Sequence, residues 1–157
     1  MLGSRRGWDE DLRPVKDLKN HFNVNARGVV LGGFSSGGDL AYRTAFYNSD
    51  KFAGVLAANT APFRDTGSSQ QDSLAAATTK FNVVHLAHTQ DTTYPIGQVQ
   101  QEIDAMKAAG FPVALIERPG THYDEPGANV NGQPVPGTDP DIQTYLLPHM
   151  NDGWLSP

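Results

Sequence analysis

The chain of 157 residues contains no cysteine. That excludes disulfides, thiolate zinc sites and a cysteine nucleophile, although it does not identify a compartment. A cationic surplus is missing too: 17 Asp and Glu face 12 Lys and Arg, for a net charge of −5 at pH 7. No basic patch breaks this balance, so nucleic acid is not an expected partner. No apolar run approaches the length of a membrane span, and no internal repeat occurs. The opening Met1-Leu2-Gly3-Ser4-Arg5-Arg6-Gly7 lacks the apolar middle of a signal peptide. The expectation is a soluble chain of one domain, long enough to bury a core.

What the chain does have is one highly ordered stretch. Val29-Val30-Leu31-Gly32-Gly33-Phe34-Ser35-Ser36-Gly37-Gly38-Asp39-Leu40 starts apolar, passes through Gly-x-Ser-x-Gly and turns into a helical pattern carried on by Tyr42, Ala45 and Phe46. Strand, sharp glycine turn and helix together form the setting of a nucleophile elbow. A serine hydroxyl attacks only when a base takes its proton. The elbow lifts the hydroxyl above the sheet and aims the next backbone N–H at a developing oxyanion. Only Ser35 fits the frame, since Ser36 would need a glycine at Phe34. Gly33 and Gly37 are expected to let two backbone segments pass closely. The bland reading is a Gly/Ser turn after a strand; the flanks favour the elbow.

Along the chain, Leu12, Val15, Leu18 and Phe22 predict one face of a helix over 9–22, with Asp9 as its N-cap. A strand over 28–34, with Gly28 at its start, feeds the elbow, and the elbow helix runs to about Asn48. A continuously apolar strand over 52–58 suits a parallel sheet covered on both faces. Residues 59–79 read as a polar loop with one helical turn near Leu74. A third strand over 81–87 ends at His88-Thr89-Gln90-Asp91-Thr92-Thr93-Tyr94-Pro95. A long helix follows, with Ile96, Val99, Ile103 and Met106 on one face and Gly110 past its end. A fourth strand over 113–117 empties into Arg118-Pro119-Gly120-Thr121-His122-Tyr123. After a Pro/Gly/Asn loop over 125–139, a last helix begins near Pro140. This alternation predicts an α/β fold with a mostly parallel sheet of about four strands.

Catalytic groups in such sheets gather at the carboxyl ends of the strands. Those ends carry Ser35, Asp91 and His122, in that order. The expected roles are nucleophile for Ser35, general base and acid for His122, and orienter of the imidazole for Asp91. Asp91 has a second reading as a helix cap near Pro95, and His122 as a surface-loop histidine; the three together at three strand ends favour the triad. Ser36 supplies the expected oxyanion N–H. Phe34, His88, Tyr94 and Tyr123 adjoin these positions and are candidate substrate-binding residues, with simple packing as the alternative. His85 reads as a core histidine, and a His85/His88 metal pair is disfavoured because the two point to opposite faces of a strand. Asp124 and Asp139 are alternative acids in the wrong chain order. No metal or organic cofactor is called for.

The chain order Ser, Asp, His is that of the α/β-hydrolases. Trp8-Asp9-Glu10-Asp11, Phe22-Asn23-Val24, Gly33-Phe34-Ser35-Ser36-Gly37-Gly38, Ala41-Tyr42-Arg43, the run from Asp91 to Pro95 and Pro119-Gly120-Thr121-His122 resemble the polyhydroxybutyrate depolymerase and feruloyl esterase group of that superfamily. The resemblance covers roughly residues 8–154. It implies hydrolysis of esters of polymers or of plant-wall and aromatic acids, and secretion. Two departures stand out. The family's His-Gly ahead of the acid is replaced by Ala87-His88-Thr89-Gln90. The strands that precede the first helix, and the loop that supplies a second oxyanion N–H, have no counterpart, so the chain corresponds to the C-terminal part of the usual fold.

The expected function is therefore a serine carboxylic-ester hydrolase on a shortened α/β-hydrolase sheet, with helices on both faces. An amide or peptide hydrolase with the same triad is the rival enzyme. A truncated scaffold that binds a ligand without catalysis is the rival of another class. The strand over 28–34 would be an apolar edge, to be covered by the rest of a longer protein, by the N-terminal segment or by a second copy; the expectation is a homo-oligomer paired through it.

Overall fold

The computed structural model describes residues 12–64 and 69–157. Its frame is a four-stranded parallel sheet whose strand order follows the chain: β1 (Val30–Phe34), β2 (Gly54–Ala58), β3 (Asn82–His88) and β4 (Val113–Arg118). The register is uninterrupted, with Val30 opposite Gly54, Leu56 opposite Val84 and Leu86 opposite Ile116. Parallel neighbours need a crossover of a dozen or more residues. The crossovers carry α2 (Ser36–Tyr47), α3 (Gln70–Ala76) and α4 (Ile96–Ala108). α1 (Arg13–His21) precedes β1.

Alternation along the strands builds two cores. Leu31, Val55, Ala57 and Val83 face α2, where Tyr42, Ala45 and Phe46 are wholly buried, with Phe81, Met106 and Phe111 closing the layer. Val30, Leu56, Ala58, Val84, Leu86 and Ile116 face the other way, against Ile142, Tyr145, Leu146 and Trp154. The central strand β2 is buried at all five positions, which is why its sequence shows no alternation. β1 stands at the end of the sheet, with Gly32 exposed and its other residues half-buried. On the second face beside it, an open apolar cleft of about 290 Å³ is lined by Val30, Gly32, Phe34, Leu56, Leu147 and Met150 among others.

Several expectations need correction. The apolar stripe predicted for α1 packs only at its start: Leu12 is buried and Val15 half-buried, whereas Leu18 and Phe22 are 52% and 65% exposed. Its proposed cap, Asp9, lies outside the described residues. The helical turn expected near Leu74 is the end of a longer, capped helix, α3, whose Ser69 side chain accepts from the Asp72 N–H while the Asp72 carboxylate accepts from the Ser69 N–H. The loop over 125–139 holds a hairpin, β5 (Asn129–Val130) and β6 (Gln133–Pro134), turned by Asn131 and Gly132 at positive φ. The last helix is irregular: one α-turn, α5 (Thr138–Asp141), runs into a π-turn (Ile142–Leu146) and a 3-10 turn (Leu147–Asn151). Pro148 has no N–H to donate, which helps break an α-helical ladder there. Of the described residues, Ile142, Tyr145 and Leu146 of this segment and Trp154 pack on the second face of the sheet. Among the described residues no helix is long and apolar enough to cross a membrane.

Candidate active site

Ser35 joins β1 to α2 with φ 55° and ψ −129°. A side-chain-bearing residue rarely adopts that backbone, and such strain persists only where its surroundings enforce it. Here the enforcement is close packing of the turn on itself. A Cβ on Gly33 would lie 2.3 Å from the Gly37 backbone, and one on Gly38 would lie 2.6 Å from Thr60 Cγ2. Gly37 differs from expectation, since a Cβ there would meet open space. The close approach requires glycine at position 33, not at both.

The three strand ends converge. Ser35 Oγ lies 3.0 Å from His122 Nε2, and His122 Nδ1 lies 2.8 Å from Asp91 Oδ2. A neutral imidazole protonated on Nδ1 satisfies both bonds, donating to Asp91 and accepting from Ser35. Asp91 is buried, and its other oxygen accepts the backbone N–H groups of Thr93 at 2.7 Å and Tyr94 at 3.0 Å. Asp91 does not cap the helix after it, whose N-cap is Pro95 without a side-chain bond; its carboxylate closes the turn before that helix and still reaches the imidazole. The Ser36 N–H lies in the first turn of α2, where a helix leaves its amides without intrahelical acceptors and carries partial positive charge.

The histidine loop is held from several sides. Asp124 accepts from the Thr121 N–H at 2.6 Å and from its hydroxyl at 2.7 Å. Gln90, in the acid loop, accepts from the Gly120 N–H at 2.7 Å through its side chain and donates its own N–H to the Gly120 carbonyl at 2.9 Å. Asp124, weighed as an alternative acid, therefore serves this loop and does not reach the imidazole. Asp139 accepts from the Tyr123 hydroxyl at 3.4 Å. Together with Glu125, its charge raises the phenol of the exposed Tyr123 above its ordinary pKa.

The aromatic neighbours divide into two groups. Phe34 packs against the His122 ring, 5.2 Å between centroids, and against Tyr123 at 6.2 Å; both are partly open to solvent. Tyr94 is buried, its ring stacked on His122 at 5.6 Å. Its hydroxyl donates to Asp39 Oδ2 at 2.7 Å. Burial, then the hydrogen bond and charge of Asp39, raise its pKa, so the phenol stays protonated and remains a donor. Thr60 Oγ1 donates to the other Asp39 oxygen. Tyr94 thus braces the imidazole from within.

His88 does not line the site. It is 2% exposed, and both its ring nitrogens are engaged inside the protein, Nδ1 by Asn59 and Nε2 by Asp141. Its side chain leaves β3 on the face opposite the nucleophile helix. His85 leaves on the other face, where its Nδ1 lies 2.8 Å from the Tyr42 hydroxyl. Burial lowers the His85 pKa to about 4, with the Thr60 backbone acting weakly in the opposite direction. Sequence reasoning missed Asn59, Asp39 and Asp141. Asn59 and Asp39 directly follow a strand end or the elbow, which was the available signal.

The chain is similar to several solved structures. Arabidopsis thaliana SOBER1 aligns with a TM-score of 0.59 at 17% identity, over 74% of this chain and 55% of that one. Esterase PE8 aligns at 0.59 and 18% identity, over 72% of this chain and 53% of that one. The S-formylglutathione hydrolase FrmB of Staphylococcus aureus gives 0.61 and 17%, over 73% and 53%. The fold is a shortened α/β-hydrolase fold. The chain spans little more than half the length of these three proteins. No protein-family model matches it, and no curated protein sequence does.

Proposed function

We propose that the protein is a serine hydrolase that cleaves carboxylic esters through an acyl-enzyme on Ser35. The observation that carries this reading is the unbroken line from Asp91 through His122 to Ser35, at 2.8 and 3.0 Å, with Ser35 in a strained elbow. His122 Nε2 takes the hydroxyl proton as Oγ bonds to the substrate carbonyl carbon. The same proton then goes to the departing alkoxide, which leaves as the alcohol. A water, deprotonated in turn by His122, attacks the acyl carbon and releases Ser35 and the acid. Asp91 holds the Nδ1–H tautomer and stabilises the imidazolium. The Ser36 N–H faces the developing oxyanion, and the partial positive end of α2 favours that charge.

Phe34 and Tyr123 form the wall against which an acyl or aryl group rests, which agrees with the resemblance to polyhydroxybutyrate depolymerases and feruloyl esterases. The exposed apolar β1 edge and its cleft support pairing with a second copy of the chain; sedimentation at micromolar concentration giving only monomer would remove that part. A non-catalytic scaffold is the second reading, favoured by the single oxyanion donor identified among the described residues. Removing one donor of a pair costs roughly 10²- to 10³-fold.

Fluorophosphonate labelling read by intact mass decides between the two. A single adduct on the wild type, absent in Ser35→Ala and slow in His122→Ala, supports the hydrolase. No adduct on folded wild-type protein would favour the scaffold.

A further inference from the structure

The His122 imidazole hangs from a loop fixed by Asp124, Gln90 and Thr138, and a further anchor comes from the end of β2. Asn59 follows β2 with φ 46° and is 1% exposed. Its Oδ1 accepts the His88 backbone N–H at 3.0 Å, which orients the amide and leaves Nδ2 to donate. Nδ2 lies 2.7 Å from the carbonyl of His122 itself, and 3.4 Å from that of Thr121. It also lies 2.7 Å from His88 Nδ1. His88 Nε2 in turn donates to Asp141 Oδ2 at 3.1 Å, and Asp141 sits 3.6 Å from the Arg118 guanidinium. A His88 with its proton on Nε2 donates to Asp141 and accepts the 2.7 Å bond from Asn59 Nδ2, the 3.1 Å approach of Nδ1 to Asn59 Oδ1 being then a contact of two acceptors. The His88 ring is locked by Gly120, where a Cβ would lie 2.7 Å from His88 Cδ2.

We propose that Asn59 is a positioning residue for catalysis, aimed by the buried His88–Asp141 pair. Its amide fixes the His122 carbonyl and so the direction in which the imidazole leaves the backbone. The amide touches neither substrate nor reacting atoms; it acts through His122. The 3.0 Å reach from Nε2 to Ser35 depends on this anchor, because displacing a reacting group by about 1 Å can cost up to about 10²-fold in rate. Asp141 lies in the C-terminal helical segment, so that segment acts on the base through His88 and Asn59 as well as through the bonds of Thr138 to Asp124 in the histidine loop. The inference rests on the serine-hydrolase reading above.

Asn59→Gly is the discriminating variant. Glycine accepts the positive φ without cost, so the backbone keeps its course while the amide is lost. His88→Gln is the second variant: its amide can still donate to Asp141 but removes the acceptor on Nδ1. Each is compared with wild type and Ser35→Ala for p-nitrophenyl ester hydrolysis, fluorophosphonate labelling, thermal unfolding, and the downfield NMR resonance of the His122 Nδ1 proton. The expected result is a fall in kcat of roughly 10- to 100-fold in folded Asn59→Gly, with KM unchanged and the proton resonance broadened or shifted. His88→Gln is expected to fall in the same direction. Wild-type kcat and an unaltered resonance in either folded variant would overturn the positioning role and leave the hydrolase reading intact. A folded wild type that neither turns over nor labels would overturn both.

Discussion

Replacing Asp91 with asparagine removes a charge while preserving shape, and the structure specifies how the new amide must sit. Asp91 Oδ1 accepts two backbone N–H groups, from Thr93 at 2.7 Å and Tyr94 at 3.0 Å. An amide nitrogen placed there would set donor against two donors in a buried turn, at a cost of about 1–3 kcal/mol for each group left unsatisfied. The asparagine oxygen therefore takes that position and its NH2 faces His122 Nδ1, 2.8 Å away in the wild type. The imidazole must then accept on Nδ1 and carry its proton on Nε2, where it cannot take the Ser35 proton. The same tautomer error in a serine protease triad costs about 10⁴-fold in kcat, or about 5 kcal/mol of barrier. The assay is ester hydrolysis with active-site titration by fluorophosphonate, alongside thermal unfolding to show that the variant is folded. Asp91→Asn should be no more active than Asp91→Ala despite its closer shape. Activity within tenfold of wild type would refute both the tautomer argument and the role given to Asp91.

The elbow offers a paired test of packing. Gly33→Ala drives a methyl into the Gly37 backbone and should destabilise by roughly 3 kcal/mol or more, whereas Gly37→Ala, with open space at its Cβ and a helical backbone, should be neutral or stabilise by up to about 1 kcal/mol in urea unfolding. Tyr94→Phe keeps the stack on His122 but strips Asp39 of one of its two hydroxyl donors; a loss of about 1–3 kcal/mol is expected by thermal denaturation, and an unchanged midpoint would contradict it. His85 is protonated less readily in the folded state, pKa about 4 against 6.5, so its neutral form favours folding and stability is lost as pH falls through that window. The loss should approach about 3 kcal/mol near pH 4, and unfolding titrations of His85→Leu should lack that component.

Much of the frame was legible because its signals are local. Strands β1 to β4 are short apolar runs between turn residues, and α4 shows a clear face in Val99, Ile103 and Met106, all buried as expected. Ser35, Asp91 and His122 could be chosen because chemistry demands particular residue types at strand ends. The misreadings have a common cause: they concern what a side chain meets across the fold. His88 was placed at the site by its sequence neighbours, yet its direction depends on strand parity, which sends it toward Asp141, 53 residues later. The stripe on α1 carried the expected period, but periodicity does not supply a surface to bury against. The helical turn expected near Leu74 lies in α3, but its start at Gln70 and its cap were missed, although the Ser69 to Asp72 spacing was available. Asn59 offered only its place after a strand end, since its importance lies in one carbonyl 63 positions away.

The strand order has a consequence for synthesis. Each strand of the sheet pairs with the one made just before it, so the emerging chain can extend its sheet at one growing border without waiting for a distant partner. The proposed reactive serine is made first, at the end of β1, and its base last, beyond β4. Until the ribosome has delivered residue 122, the hydroxyl has no acceptor for its proton and is an ordinary alcohol. The layout thereby defers reactivity until all four strands of the parallel sheet have been made.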